Sequence, residues 1–201
     1  WPARYTSAAL PFGAPANNPA GFEPCMQALR TDRPQAADEM GAMTNPIAPL
    51  FLSHGSPMTA LEPGAAGAFW QHLGPALGAA GQRPRAILAI SAHSLTREPV
   101  LMAAAQHTTV HDFSGFPEPL YQLRYDAPGA PDLAPRVAAL IQAAGLPVHT
   151  SHEAGLDHGI WTPLRYLFPD ADIPVTQLSL QSHLPPSHLL QPQQGLWTKV
   201  Q

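Results

Sequence analysis

Two histidines stand where short apolar runs stop. His54 closes Leu50-Phe51-Leu52-Ser53 and is followed at once by Gly55-Ser56-Pro57, residues that turn a chain. His93 closes Ala89-Ile90-Ser91-Ala92. If both runs are strands of one α/β sheet, both imidazoles reach the same carboxyl edge, where open α/β sheets keep their ligand crevice. Imidazole suits iron, zinc, copper and nickel, so the pair reads as two ligands of one metal ion. Open positions beside such a pair let a substrate and dioxygen bind side by side. Spacing alone leaves a second reading open: two unrelated histidines at loop starts, one bonded to backbone and one solvated.

A third histidine lies in Asp157-His158-Gly159. A histidine in a glycine-flanked loop beside a carboxylate can act as a general acid or base near neutral pH. The same triplet also reads as an ordinary turn in which Asp157 caps the following helix. His111-Asp112-Phe113 is open in the same way, between a pocket-lining loop and a packed one. His72 falls within a helical stretch, and His107, His149, His152, His183 and His188 read as structural or surface residues. Ser56 lacks the Gly-X-Ser-X-Gly elbow and is followed by proline, which argues against a serine hydrolase. Neither a dinucleotide fingerprint, a Walker lysine nor a His-Glu-X-X-His zinc-hydrolase motif occurs. Cys25 is the only cysteine, excluding an internal disulfide framework and a multi-cysteine zinc site; the 10 histidines make imidazole the available donor.

The elements that must carry these residues follow from hydrophobic pattern. Residues 47–53 and 86–91 read as buried strands, and 100–103 as a third. Residues 66–80 have a helix-compatible apolar face interrupted at Gly74-Pro75. Residues 107–130 form a long connection whose Phe113, Phe116, Tyr121 and Tyr125 imply packing. Leu133, Val137, Leu140 and Ile141 define one face of a helix over 133–144, with Asp132 to start it and Gly145 to end it. A short strand at 146–150, a helix near 161–168 and a strand over 173–180 complete the alternation. The fold class is α/β, a mostly parallel or mixed central sheet flanked by helices. Residues 1–46, rich in Pro, Ala, Gly and Asn without sustained periodicity, read as a disordered or non-native leader, and 191–201 as a divergent tail. The sheet pattern is expected to be incomplete at the C-terminus, because after Leu180 the chain turns proline-rich instead of returning to the sheet.

With 201 residues the chain suits one domain. A net charge of -4 gives no basic footprint for nucleic acid or an anionic membrane, and no run approaches the roughly 18 apolar residues of a membrane span. The leader also lacks the basic and apolar regions of a secretory signal, so the expected setting is cytoplasmic.

Taken as an ordered set, several motifs carry a resemblance. They are Ser53-His54-Gly55-Ser56-Pro57, Ser91-Ala92-His93, His111-Asp112-Phe113-Ser114-Gly115-Phe116-Pro117, Tyr125-Asp126-Ala127-Pro128-Gly129, Asp157-His158-Gly159-Ile160-Trp161 and the stretch from Phe168 to Ser179. Over residues 47–190 the chain resembles class III extradiol ring-cleavage dioxygenases of the LigB superfamily, in the 4,5-DOPA dioxygenase-like branch. The resemblance implies one non-haem ion, Fe(II) or Zn(II) in its place, with His54 and His93 as its ligands. It implies a catechol and dioxygen as substrates, His158 as the catalytic proton-handling residue, and His111, Asp112 and Phe113 in the substrate-binding wall. It also implies a further C-terminal ligand and histidine that have no counterpart in residues 190–201. The alternative expectation is therefore an inactive remnant or non-enzymatic scaffold of the same fold.

Overall fold

A computed structural model describes residues 49–185. The leader expected over 1–46, the tail over 191–201 and His188 lie outside the described residues. Among these residues four strands form one mixed sheet: β1 (Ile87–Leu95), β2 (Val100–Met102), β3 (His149–Ser151) and β4 (Val175–Leu180), in the order β1-β4-β2-β3. β1 runs parallel to β4 and β2 parallel to β3, whereas β2 and β4 meet antiparallel. Among the described residues, four α-helices accompany them: α1 (Gly64–Ala79), the single turn α2 (Glu118–Tyr121), α3 (Leu133–Ala143) and α4 (His158–Leu167). The α/β architecture with a mixed sheet is the one expected from the alternating pattern.

Strand alternation divides the core in two. Ile87, Ala89 and Val175 face one side, where Trp70, Leu73 and Leu77 of α1 pack with Ile160, Trp161, Leu164 and Leu167 of α4. Leu88, Ile90, Leu101 and Leu178 face the other, against Ala134, Val137 and Ile141 of α3. β4 lies between β1 and β2 and is buried over Val175–Ser179, and its polar Thr176, Gln177 and Ser179 are each hydrogen-bonded, as buried polar groups must be. Ser91 and His93 share the parity of Ile87 and Ala89, which points them toward α4.

Several elements differ from their expectation. The described part of the 47–53 run forms no strand; Phe51 is 97% exposed and Leu50 41%. An apolar run becomes a strand only where a neighbouring backbone completes its ladder, and none of the described strands pairs with this one. Helix α1 continues through Gly74-Pro75 rather than breaking there. Gly74 is needed for contact: a Cβ at this position would lie 1.9 Å from the Leu167 carbonyl oxygen at the end of α4. That packing holds the helix together across a proline that costs about 3 kcal/mol in an isolated one. β1 extends past His93 instead of stopping at it, and its pairing with β4 shifts register between Ile90 and Leu95. Helix α4 begins at His158 itself, earlier than its apolar face suggested.

The long 107–130 connection is packed, as its aromatics implied. His107 is fully buried; its Nε2 donates to the Val175 carbonyl at 3.0 Å while Nδ1 accepts from Gly155 N at 3.4 Å. Burial pushes this imidazole below its ordinary 6.5, against the raising effect of the Val175 carbonyl. Below 6.5 an unfolded chain therefore takes up a proton that the folded one refuses. Stability is full above that pH and falls as pH drops through it. Urea midpoints are expected to hold between about pH 8 and 7 and to decline between about pH 6.5 and 5.5, with a shallower decline in His107→Gln. Identical slopes in the two proteins would relieve His107 of this role.

Candidate metal centre

Three elements bring three imidazoles together. His54 sits ahead of a 3-10 turn (Pro57–Ala60) whose cap, Ser56, accepts from Met58 N at 3.0 Å. Gly55 makes the bend, at φ +67. The turn is anchored to α4, since Tyr166 donates its hydroxyl to the Ala60 carbonyl at 2.8 Å and Arg165 donates to the same oxygen at 3.2 Å. His93 lies in the stretch of β1 where register with β4 shifts, and with Ser91 it faces Gly159 of α4. His158 is the first residue of α4, placed by Asp157, whose Oδ1 accepts from Gly159 N at 2.9 Å. The capping reading of the Asp157-His158-Gly159 triplet is realised, and the same turn brings His158 beside the other two histidines.

Beneath the imidazoles lies a buried polar network. Ser91 of β1 donates to Asp157 Oδ1 at 2.7 Å, and Gln177 of β4 donates to Asp157 Oδ2 at 3.0 Å. Ser91 Oγ in turn accepts from the backbone N of His93 at 3.1 Å. One carboxylate therefore ties together β1, β4 and the start of α4. Gly159 permits the close approach: a Cβ there would lie 2.7 Å from Ser91 Oγ and 2.9 Å from His93 Cδ2.

The Nε2 atoms of His54 and His93 are 3.1 Å apart. Two nitrogens that each reach one ion at about 2.1 Å must be this close. The His158 ring centroid lies 4.1 Å from that of His93 and 5.0 Å from that of His54. One ligand nitrogen from each of the three falls within 4.8 Å of the others, a grouping able to hold a metal ion. Burial first, then the neighbouring His158 and His93, push His54 below its ordinary 6.5. That favours the neutral imidazole that metal binding needs, so the donor set fits a metal by its chemistry.

Loop 111–117 closes one side. Asp112 accepts from the backbone N of His158 at 2.9 Å and lies 2.9 and 3.0 Å from its Nδ1. Burial alone would raise the Asp112 carboxyl, but these bonds from His158 outweigh it and hold the group below the ordinary carboxylate range. Phe113 stands edge-on to the His158 ring at 5.5 Å. His111 sits behind it, 3.2 Å through Nε2 from the Leu123 carbonyl and packed on Phe113, Tyr121 and Trp161. Of the loop residues expected to line a pocket, Asp112 and Phe113 touch the histidine cluster, while His111 packs against the loop. Outside the cluster, His72 is exposed on α1 and His149 pairs with Glu98 on the surface.

Sequence reasoning missed Ser91 and Gln177. Both carried a signal: polar residues within buried strands, one of them two positions before a candidate ligand and therefore on its face.

Fold and site together define a class, an α/β domain with a histidine cluster at a sheet margin suited to one metal ion. Residues 49–192 match the catalytic LigB subunit of aromatic ring-opening dioxygenases, and the chain belongs to that family. A 4,5-DOPA dioxygenase extradiol of Beta vulgaris is 42% identical over 154 residues, covering 74% of this chain and 56% of the relative. One from Escherichia coli strain K12 is 47% identical over 137 residues, covering 68% and 48%. A crystal structure of an uncharacterized Escherichia coli K12 protein shares 39% identity at a TM-score of 0.48, covering 61% of this chain and 43% of that one. The chain thus spans about half the length of the curated relatives it matches. Among the described residues, no helix is long and apolar enough to cross a membrane.

Proposed function

We propose that this chain forms part of a non-haem, metal-dependent extradiol dioxygenase that opens a DOPA-like catechol next to its diol, in a cytoplasmic setting. The observation that carries the proposal is the 3.1 Å approach of His54 Nε2 to His93 Nε2 beside His158. Proteins similar in sequence bear the name 4,5-DOPA dioxygenase extradiol, which supports the substrate class. His54 and His93 would hold the ion, Fe(II) or Zn(II) in its place. A bound Fe(II) would supply open positions and redox chemistry for a diol and dioxygen. His158 would take a proton from a catechol hydroxyl and return it later, within reach of the histidine pair. Phe113 would offer an apolar wall to the ring, with Asp112 and His111 in the same loop.

The test has two stages on the full chain. Titration with Fe(II) without oxygen, or with Zn(II), is expected to saturate at one ion per chain. Adding L-DOPA and air to the iron form is expected to consume dioxygen and give a yellow semialdehyde. Absence of stoichiometric metal uptake defeats the reading. Uptake without oxygen consumption assigns the chain instead to a scaffold that binds metal and does not turn over.

A further inference from the structure

Asp112 is the residue whose surroundings depart furthest from a role in touching substrate. An ionised carboxylate only accepts hydrogen bonds, and both oxygens of Asp112 are engaged by one residue. Oδ1 receives the backbone N–H of His158 at 2.9 Å, and Oδ1 and Oδ2 lie 3.0 and 2.9 Å from its Nδ1. Oδ2 is also 4.0 Å from Nδ1 of His93, so a single carboxylate stands behind two of the three imidazoles. The loop that carries it is fixed to the same helix, because Trp161 Nε1 donates to the Val110 carbonyl at 2.8 Å. His54 has no such backing: its Nδ1 is buried without a hydrogen-bond partner among the described residues.

Resting on the role proposed for His158, we infer that Asp112 is a positioning residue that keeps His158 in one tautomer. The hydrogen resides on Nδ1, against the carboxylate, and Nε2 carries the lone pair. A neutral imidazole has one donor and one acceptor nitrogen, and the partner of one decides the state of the other. Without Asp112 both tautomers are open to His158, and half of its function, accepting a proton at Nε2, is no longer assured. The carboxylate thus serves the chemistry through the histidine instead of through the substrate.

The deciding measurement is long-range proton–nitrogen NMR on 15N-labelled, metal-free chain near neutral pH, with His158 identified by its loss in His158→Gln. Wild type is expected to show an Nδ1–H, Nε2-acceptor imidazole. In Asp112→Asn the amide can turn its NH2 toward Nδ1, and the signal pattern is expected to invert or average; Asp112→Glu is expected to restore the wild-type pattern at least in part. In the iron-loaded protein, kcat for Asp112→Asn is expected to fall about hundredfold with a smaller change in KM. An Nε2–H imidazole in wild type, or an unchanged pattern in Asp112→Asn, overturns the inference. Should Asp112→Asn fail to fold, the wild-type tautomer decides alone. Metal titration of wild type separates the two claims: no metal uptake removes the proposed function, while the tautomer is read without metal.

Discussion

Replacing His93 with alanine is expected to abolish stoichiometric metal uptake. Its Nε2 is one of the two nitrogens 3.1 Å apart, and no other described side chain joins His54 and His158 in a group able to take its place. Losing a partner that merely orients a metal ligand costs about 10–100-fold in affinity, and losing the ligand itself should exceed that range. The fold should tolerate the change. The His93 side chain is 34% exposed, and the bond from its backbone N to Ser91 Oγ does not involve the ring. The control is His149→Ala, which removes an exposed imidazole paired with Glu98 on the far strand β3. Isothermal titration with Zn(II) should show one site in wild type and in His149→Ala, and none in His93→Ala. Equal uptake by all three would place the metal elsewhere.

The largest loss of stability is expected from Asp157→Ala. The carboxylate is 8% exposed and receives the Ser91 hydroxyl, the Gln177 amide and the backbone N–H of Gly159. Truncation removes a helix cap, worth about 1 kcal/mol, and leaves buried donors of β1 and β4 unpaired, at about 1–3 kcal/mol each. A loss of about 3 kcal/mol or more in urea unfolding is expected, a large share of the stability of a domain this size. Asp157→Asn should lose less. Its oxygen can still accept from Ser91 and Gly159, but its NH2 would meet the Gln177 NH2, donor against donor. Because the network also carries His93 and His158, the alanine variant should bind metal more weakly even where it folds. A loss below about 1 kcal/mol would show that the network contributes little beyond the packing around it.

Much of the site could be seen in residue order alone. An apolar run ending in Ser91-Ala92-His93 and a turn at Gly55-Ser56-Pro57 specify local backbone, and local backbone is what short-range side-chain chemistry controls. Asp157 before a helix is legible for the same reason, since a cap bonds only its own first turn. The role of Asp112 was not legible. Its partner is in another element, and a loop of aromatics and polar groups reads alike whether it faces a substrate or supports a histidine.

By itself the sequence determined the alternation of strands and helices, the supply of imidazole over thiol, and the family to which the chain belongs. Those depend on periodicity and on ordered motifs, which are properties of neighbours along the chain. Only the tertiary structure decided that the described part of the run before His54 is not a strand, that α1 passes intact through Pro75, and that His54, His93 and His158 meet. Each of these turns on how distant segments meet: the lack of a ladder partner for Phe51 among the described strands, the Leu167 carbonyl against Gly74, and Ser91 against Asp157. The register shift between Ile90 and Leu95 likewise leaves no mark on the pattern of apolar residues.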